Sequence, residues 1–516
     1  MSIQSEINRI SGNVANALTA IANKGVTVPQ GSNSDDLATL IGQIQQGGGA
    51  GAISIVDTPD SAGGTVRTIT AVDISSDTVT AAHLESGYTA HDAAGNAITG
   101  TLSPSTTPAP QKQINFIDFD GTILYSYTAQ EANALTALPA NPTHAGLTAQ
   151  GWNWSLAQIK AQLTAMPDGP VWVGQMYITQ SGDTEIDVRF ADAARLSPIL
   201  TVAVNGTITV DWGDNTTADT VTGSSLTTRQ EPSHTYAAPG EYTIKIHAVS
   251  GSFTFYGSSS YLLLRKSTNA NENRAYANCV QAIRLGSGIT SIGNYALYYC
   301  TSLAYITLPN TVTSIGTSAF NYCLHLASIT VPSDFTSLTA VFGQCYSLVS
   351  ASIPSSITTI GYNLFINCHH LASITIPSGV TSIGSNVFSS CECLMSLILP
   401  SGLTNLDTGV INGCISLTSF TIPNSVTSIG VTVFNGCSSL ISITIPSDVT
   451  SIGTGAFQSC YGMAEYHILP TTPPTLSTNV FTSIPSDCVI YVPSAKLTDY
   501  QAAENWSAYA SYMQGE

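Results

Sequence analysis

Cysteine and histidine are the residues whose type and spacing most readily suggest chemistry in this chain. Among 11 cysteines, Cys323 lies close to His325, and Cys368 directly precedes His369 and His370. A zinc site needs ligands that converge tetrahedrally, whereas successive side chains on an extended strand point to opposite faces. We therefore predict no metal site at these residues and no cofactor.

An acidic motif suggests a second chemistry, phosphoryl transfer. Residues 118–122 read DFDGT and resemble the nucleophile motif of haloacid dehalogenase-like phosphatases, in which the first Asp attacks phosphorus and the second handles the leaving-group proton. Asp183 and Asp187 imitate that family's later metal-binding motif, and Lys160 its charge-stabilising lysine. Only about 65 residues separate the two acidic motifs, too few for the required doubly wound sheet. Asp-Gly is also a common hairpin turn, so we predict a hairpin over 114–127, no catalytic residues and no enzyme.

A repeat occupies the C-terminal half and would have to position any functional group there. Cysteines recur every 23 residues, with one interval of 22, at positions 300, 323, 345, 368, 391, 414, 437 and 460. A fixed period of about 20–30 residues indicates a solenoid, in which each turn buries its apolar face against the next. Free cysteine suits a buried, compact apolar position. We predict eight reduced core cysteines and a stacked binding surface rather than a catalytic pocket.

Each repeat unit carries its own structural signals. The segment Leu-x-x-Ile-x-Ile predicts a strand, and proline, which lacks a donor for the ladder, ends it. Gly384 and its equivalents predict a turn that needs a permissive backbone. The units before Cys345 and Cys414 lack Ile-Gly, which predicts local kinks. The predicted inward ladder is Leu303, Leu326, Leu348, Leu371, Leu394, Leu417, Leu440 and Met463.

The units resemble the BspA-like subclass of leucine-rich repeats. Motifs such as LASITIPSGVTSIGSNVFSSC and LTSFTIPNSVTSIGVTVFNGC carry this resemblance over about residues 280–470. The resemblance implies an extracellular recognition or adhesion surface and leaves the ligand open. Residues 488–510 resemble the terminal cap of such arrays, which is needed because the last turn would otherwise expose its apolar edge.

Candidate ligand-binding residues lie on the outward side of the repeats. Outward strand positions are mostly serine and threonine, from Ser328 and Thr330 to Ser442 and Thr444, and suit either a glycan or a solvated sheet. Residues that depart from the consensus beside each cysteine are the stronger candidates, because aromatic side chains can stack on sugars or fill pockets of a partner. They are Tyr298, Tyr299, Tyr305, Tyr346, His369, His370, Glu392 and Tyr461.

Composition excludes several classes of partner. Charged residues make up 9% of the chain, the net charge is −18, and no Lys or Arg occurs between Arg284 and Lys496. Because basic side chains supply most nucleic-acid affinity, we predict no nucleic-acid partner. No stretch of 18 apolar residues occurs, so we predict no membrane insertion. The N-terminal sequence lacks an apolar signal region, which predicts release by another route, such as lysis within an assembled particle.

The N-terminal segments carry a different resemblance. Apolar residues from Ile3 to Ile21 follow a heptad pattern that favours a trimeric or tetrameric coiled coil, and a helix packed on the next one at 34–46 is the alternative. Residues 10–44 and 86–101 resemble modules at the N-termini of phage and prophage tail-associated proteins, and the second also predicts a hairpin. This resemblance implies an oligomerising end that faces a virion.

Two further resemblances describe the middle of the chain. Residues 118–163 resemble a small module that recurs beside BspA-like repeats in phage-encoded proteins, in which Trp152 and Trp154 are predicted to pack before a helix at 155–165. Residues 196–258 resemble a PKD-type β-sandwich, through Trp-Gly-Asp at 212–214 and His-Thr-Tyr at 234–236. Asp211 and Asp214 are predicted to cap turns, with a calcium-binding role as the alternative.

The predicted fold class is mainly β and multi-domain, with a leucine-rich-repeat solenoid in the C-terminal half, a PKD-like β-sandwich in the middle and short N-terminal helices. The predicted domains are a helical attachment segment (1–47), a small β module with a linker (48–109), a small α+β module (110–195), the PKD-like sandwich (196–258), the repeats (259–470) and a cap (471–516).

Together these parts predict a phage or prophage virion protein, tail-associated and receptor-binding, made in the host cytoplasm and released in assembled particles. Its repeats would bind a host-cell surface protein or glycan. Its N-terminus would bind other virion proteins as a homo-oligomer, with a trimer favoured. The alternative is a bacterial BspA-like adhesin, on the cell surface or secreted.

The absence of Lys and Arg from 285 to 495 predicts an unusual tryptic digest. Trypsin should leave this stretch as one piece even in denatured protein, because it has no cleavage site. Mass spectrometry of the digest checks this, and smaller tryptic fragments from the stretch would contradict it.

Overall fold

The computed structural model describes the backbone of 52–59, 65–72, 89–91 and 97–99, and then residues 114–166, 170–259, 262–266 and 270–516. The chain divides into two compact units, Met1–Pro110 and Gln111–Glu516. The described part is mainly β with few helices, which confirms the predicted fold class. The predicted coiled coil and the helix at 34–46 lie outside the described residues.

Among the described residues of the first unit there are two antiparallel pairs of strands. Strand β1 (Ala52–Pro59) pairs with β2 (Thr65–Val72). Strand β3 (Thr89–His91) pairs with β4 (Ala97–Thr99), as the predicted hairpin requires.

The second unit begins with a small α+β module. Its elements are β5 (Ile114–Ile117), β6 (Ile123–Tyr127), α1 (Ala129–Ala134), β7 (Leu147–Trp152), α2 (Leu156–Ala165) and β8 (Val171–Thr179). The sheet order is β6-β5-β8-β7. Helix α2 matches the predicted helix and starts at a capping box formed by Ser155 and Gln158, which satisfies free backbone N–H groups. Trp152 and Trp154 are buried in the module core, as predicted.

The acidic motif folds as the predicted hairpin between β5 and β6. The two strands are antiparallel, and Gly121 at φ +89° forms the turn by donating its N–H to the carbonyl of Asp118. Glycine is favoured there because this backbone region is strained for other residues.

The middle of the chain forms one sheet that continues into the repeats. Its strands in this region are β9 (Thr184–Phe190), β11 (Val202–Asp211), β12 (Asp219–Gln230) and β13 (Gly240–Phe255). Strands β10 (Ile199–Leu200) and β14 (Leu264–Arg265) form a separate two-stranded sheet, and helix α3 (Ala270–Ala277) follows. Strand β13 pairs with β11 and β9 along most of its length, and its end pairs with the first rear strand of the solenoid. Strand β9 pairs with the first front strand. The sheet therefore covers the N-terminal edge of the solenoid, and a separate PKD-like sandwich stays a prediction.

In each turn of the solenoid a front segment, the Leu-x-x-Ile-x-Ile stretch, is followed by a short rear strand. The front segments at 371–376, 394–399 and 417–422 are not strands, whereas the other front segments and the rear segments are. In chain order the strands are β15 (Val280–Arg284), β16 (Ile289–Ile292), β17 (Tyr305–Thr307), β18 (Ser314–Ile315), β19 (Ser328–Thr330), β20 (Ser337–Leu338), β21 (Ser350–Ser352), β22 (Thr359–Ile360), β23 (Ser382–Ile383), β24 (Asn405–Leu406), β25 (Ser428–Ile429), β26 (Ser442–Ile445), β27 (Ser451–Ile452), β28 (Glu465–Ile468), β29 (Thr475–Leu476), β30 (Val489–Val492) and β31 (Met513–Gly515). Successive turns pair in parallel. The predicted inward ladder from Leu303 to Met463 is buried throughout, which confirms it.

The repeat cysteines are buried free thiols, as predicted. Each thiol from Cys323 to Cys460 donates to a backbone carbonyl about one turn earlier, for example Cys368 Sγ to Phe342 O at 3.2 Å. Burial raises the pKa of these thiols, to about 12 for Cys345 and Cys460. The neutral thiol is therefore a second donor to a carbonyl inside the stack, since Phe342 O, for example, also accepts from Cys345 N.

The Ile-Gly glycines have a different role from the predicted one. Gly384 and its equivalents do not adopt the left-handed backbone region, so the expectation of a permissive turn is wrong. A Cβ on Gly316 would lie 2.4 Å from Asn294 N in the preceding turn, and one on Gly384 would lie 2.7 Å from Tyr362 N. Glycine is needed because the backbones of adjacent turns come into contact.

The two units that lack Ile-Gly coincide with interruptions of the rear ladder. The rear strands form the runs β16-β18, β20-β22-β23 and β24-β25-β27-β29. Thr339 follows β20 and Asp407 follows β24 at the glycine position, and each of these strands lacks pairing with the turn before it. A side chain at this position prevents the close approach that strand pairing requires, so the predicted local irregularities fall at both places.

The C-terminal edge is closed by aromatic residues. Repeat-like turns continue to residue 492, past the predicted boundary at 470, and Phe481 stacks on Phe457. Helix α4 (Leu497–Ala502) then carries Tyr500, whose hydroxyl donates to Pro470 O at 2.8 Å. Trp506 is fully buried and donates to Pro474 O at 2.7 Å. These contacts bury the apolar edge of the last turn.

Gly174→Ala should destabilise the docking of the module on the repeats. A Cβ at Gly174 would lie 1.9 Å from Thr330 Oγ1, and overpacking of this kind costs about 1–3 kcal/mol. The urea midpoint, followed by tryptophan fluorescence, should fall. Gly379→Ala is the matched control, because a Cβ there meets nothing within 4 Å. Equal midpoints for the two variants would contradict this contact.

Candidate ligand-binding surface

The module lies on the front face of the solenoid, which we define as the outward side chains of the Leu-x-x-Ile-x-Ile segments. Strand β8 contacts β17, β19 and β21. Trp172 donates its backbone N–H to Thr375 Oγ1 at 2.6 Å and its indole N–H to Ser373 Oγ at 3.0 Å. Ser352 Oγ lies 3.0 Å from Asn153 Oδ1 and 2.7 Å from Trp172 O, so it can donate to only one of them at a time. The serine and threonine hydroxyls thus hold the module.

Side chains of the module also reach backbone groups at the ends of the front segments. Asn153 Nδ2 donates to Val331 O and Ser352 O, and Trp154 Nε1 donates to Ile353 O at 2.8 Å. Gln162 donates to Ile376 O and accepts from Ser378 N. Val331, Ile353 and Ile376 each precede a repeat proline, so one chemical pattern is used on three successive turns.

The outward side chains of one front segment form one rung of the predicted serine and threonine ladder. The module covers some of these rungs and leaves the others open. The covered rungs are buried, with exposures of 7% or less for Thr307, Ser328, Thr330, Ser350, Ser352 and Thr375. The open rungs are Ser396, Ile398, Ser419, Thr421, Ser442 and Thr444, all exposed except the half-buried Ile398. The covered rungs are therefore closed to any external ligand while the module is bound.

Tyr298 and Tyr299 lie in an aromatic cluster at the N-terminal end of the solenoid. Tyr299 stacks on Tyr322 with ring centroids 4.4 Å apart, and the guanidinium of Arg274 lies 4.0 Å from the Tyr299 centroid. Tyr298 meets both rings edge-on, and burial raises its pKa. With the ring engaged by Tyr322 and Arg274, Tyr299 offers less surface for stacking on a sugar than its sequence position suggested.

Tyr346 and His369 form a second stack one turn further on. Their rings are parallel within 8° and 4.5 Å apart, and His370 Nδ1 hydrogen-bonds Tyr346 O at 2.6 Å. Tyr305 lies elsewhere, where its ring packs against Phe119 and its hydroxyl accepts from Arg284. The structure therefore places Tyr305 at the contact between the module and the repeats, apart from the other predicted residues.

Exposed apolar side chains lie beside the open rungs. Met395 is 60% exposed and Ile441 55%, and both directly follow the leucine that begins a front segment. Ile415 and Tyr461 are exposed on the loops after Cys414 and Cys460, which are equivalent to the loop that carries the exposed Glu392. We call Met395, Ile415, Ile441 and Tyr461 the apolar strip. Of these exposed side chains, the sequence analysis had singled out Glu392 and Tyr461 but not Met395, Ile415 or Ile441.

The far end of the front face carries an ionic contact that the sequence pattern did not reveal. His467 Nδ1 lies 2.8 Å from Glu516 Oε2 and Nε2 lies 3.3 Å from Glu465 Oε2, while the ring stacks on Tyr491. Burial alone would lower the pKa of His467, but hydrogen bonds to Glu516 and Glu465 outweigh burial and raise it. The open rungs thus lie between the module at one end and this contact at the other.

The acidic residues considered for catalysis have separate partners. Asp118 is buried and accepts from Tyr177 at 2.8 Å, with His144 Nε2 at 2.6 Å. Asp183 hydrogen-bonds His247, and Asp187 pairs with Arg284. Lys160 donates to the carbonyl of Leu135. Each group is held in its own structural network.

The Trp-Gly-Asp and His-Thr-Tyr motifs form a compact structural cluster. Trp212 stacks on His234 at 5.3 Å, and His234 Nε2 lies 2.7 Å from Asp214 Oδ2. Asp211 accepts from Gly213 N, and Asp214 accepts from Thr216 N, which confirms their predicted turn-capping role. Within the described residues, no group of three or more His, Cys, Asp or Glu side chains could hold a metal ion.

A cleft of about 950 Å³ lies on the central sheet. In its lining, Arg284 binds Glu185 at 2.9 Å and Asp187 at 2.7 Å. The hydrogen bond to Asp187 is the main reason that the pKa of Arg284 lies above its usual value. None of the helices that the structure describes is long and apolar enough to cross a membrane.

Comparison with protein families identifies the repeats. Residues 250–372 and 358–486 match the family model described as a BspA type leucine-rich repeat region, in six copies. The solenoid is therefore a BspA-type leucine-rich repeat region, as its sequence predicted. The phage tail modules stay predictions.

Solved structures of bacterial leucine-rich repeat proteins are similar to part of this chain. A leucine-rich repeat protein from Bacteroides ovatus is 23% identical over 41% of this chain and 66% of its own, with a TM-score of 0.35. A leucine-rich repeat protein from T. pallidum is 26% identical over 36% and 83%, with a TM-score of 0.27. A leucine-rich cell surface protein from Faecalibacterium prausnitzii is 25% identical over 38% and 73%, with a TM-score of 0.22. At these TM-scores the likeness carries no argument about ligands. No curated protein matched the chain.

Glu516→Gln should lower the pKa of His467, because it removes a carboxylate that favours the charged ring. The raised pKa means that the contact stabilises the folded protein fully below about pH 6.5. This contribution is lost as pH rises through the folded-state value. Histidine NMR titration checks this, with His467→Gln to assign the signal.

The matched control for this titration is Glu504→Gln, at an exposed residue of the same C-terminal segment. It should leave the His467 titration unchanged. Identical titrations in wild type and Glu516→Gln would rule out the contact.

Proposed function

We propose that this protein is a surface-displayed adhesin that binds its ligand non-covalently through the open part of the solenoid. The observation that carries this proposal is the division of the front face, which leaves the open rungs and the apolar strip accessible while the module buries the rest. Binding surfaces of repeat proteins are extended in this way, because each turn adds one row of side chains. The BspA-type repeats support a role at a cell surface.

The proposed activity is binding without catalysis. The carboxylates that could support phosphoryl transfer are engaged by different partners, and Asp118 is buried under two donors. A nucleophile needs access to its substrate in addition to a suitable pKa. The proposed ligand is a protein or glycan of another cell or of its matrix.

A second candidate is the virion protein predicted from the N-terminal sequence. The observation that favours it is the resemblance of residues 10–44 and 86–101 to phage tail-associated modules. In this case the N-terminal unit would attach to the particle as a homo-oligomer, with a trimer favoured, and the repeats would bind the host surface.

Fractionation of producing cells distinguishes the two candidates. Washed intact cells and purified released particles are each digested with chymotrypsin, and the peptides are identified by mass spectrometry. Chymotrypsin is required because residues 285–495 contain no tryptic site. Peptides shaved from intact cells are expected for the adhesin, and stoichiometric peptides in particles for the virion protein. Recovery from the cell interior alone would contradict both.

A further inference from the structure

We propose that the open rungs and the apolar strip bind a partner protein, whose contact segment lies on the front face as a continuation of the module. The partner segment is extended, exposes apolar side chains, and carries Lys or Arg at its margin. This inference rests on the proposed function and names the ligand class and the residues that bind it.

The module itself shows that this face binds polypeptide. Trp172 fills the rung of Ser373 and Thr375, and the next rung along the solenoid, Ser396 with Ile398, is uncovered. The open surface therefore begins directly beside an existing interface between polypeptide segments.

The chemical groups that the module uses recur on the open turns. Asn153, Trp154 and Gln162 reach the carbonyls that precede three repeat prolines. Leu399 and Ile422 stand at the same position in the next two turns, and residues 394–399 and 417–422 are not assigned to strands. A segment with amide or indole donors can therefore continue the pattern of the module.

The apolar strip favours a protein over a glycan. Met395, Ile415, Ile441 and Tyr461 are between 45% and 64% exposed. At the position of Met395 and Ile441, the covered turns carry alanine at 304, 327 and 372 and Val349, which is 51% exposed. Exposed apolar side chains grouped in this way mark protein interaction sites, and methionine and aromatic residues are enriched in interfaces.

The acidic side chains around the apolar strip indicate which charges the partner carries at the edge of its contact segment. Glu392 and Glu465 are exposed beside it, and no Lys or Arg occurs from 285 to 495. Complementary charge guides association and selects partners. Cationic residues on the partner are therefore favoured, and binding should weaken as salt is added.

The size of the open surface limits the affinity. Adjacent strands lie about 4.8 Å apart, so the rungs from Ser396 to His467 span about 15 Å. An extended segment of about four or five residues covers this length at about 3.3 Å per residue. So small a contact is typical of weak, transient interfaces, and we expect dissociation constants in the micromolar range.

A displayed library of random dodecapeptides, selected against the full chain, tests the inference. Selected peptides should combine Trp, Asn or Gln with Lys or Arg. Their affinity, measured by biolayer interferometry, should fall at least ten-fold for Met395→Glu and for Ile441→Glu. Val431→Glu is the matched control, because Val431 is an exposed apolar residue (41%) that follows a rear strand. It should bind as wild type does, and thermal melting should confirm that all variants fold.

Three outcomes would overturn the inference. They are failure to select any peptide, equal loss of binding in Val431→Glu and the strip variants, and binding on a glycan array that the strip variants abolish. The last outcome would assign the same surface to a carbohydrate. Cell-surface shaving measures where the protein is located and does not depend on the apolar strip. A failure of this inference can therefore be distinguished from a failure of the proposed function.

Discussion

Close backbone contact between successive turns is the constraint on which the rest of this structure depends. Gly316 and Gly384 leave no room for a Cβ because the preceding turn is already there. Cysteine donates to a carbonyl inside the same stack without adding bulk. Where Thr339 or Asp407 replaces the glycine, the rear ladder breaks. The inward and interturn positions are therefore fixed by packing, and only the outward positions can vary with the ligand.

A stack of this kind has two open edges, and the chain closes each with a different structure. Strand β13 pairs with the first rear strand and with β9, and β9 pairs with the first front strand. The central sheet therefore pairs with the first turn as a preceding turn would. At the other end Tyr500 and Trp506 cover the last turn. These edges must be covered because an apolar edge invites association with other chains.

Burial of the polar front face imposes a stricter condition than burial of an apolar edge. Each hydroxyl taken from water needs a partner. Ser328, Ser352 and Thr375 find theirs on the module. Thr330 Oγ1 is a buried hydroxyl without a partner, at the place where Gly174 comes closest to it. At this point the module packs so closely on the front face that the Thr330 hydroxyl has no hydrogen-bond partner.

The features set by local spacing could be predicted from the sequence, and those set by distant contacts could not. The leucine ladder, the buried cysteines and helix α2 follow from period and capping residues that lie close together in the chain. Ser352 and Thr421 occupy equivalent sequence positions, yet Ser352 is buried beneath Trp172, about 180 residues away in the chain, and Thr421 is exposed. Tyr299 was expected to offer a free ring, and its partners Tyr322 and Arg274 lie one turn away on either side.

This difference between equivalent positions bears on where recognition occurs. Consensus serine and threonine recur on every turn, so they cannot by themselves distinguish one ligand from another. Discrimination requires side chains that depart from the consensus on turns that remain accessible. Ile398 replaces a hydroxyl on the first open rung, and Met395 and Ile441 are exposed on the same stretch of the front face. Because the module covers the rungs up to Thr375, only departures from the consensus on the turns beyond it can contribute to recognition.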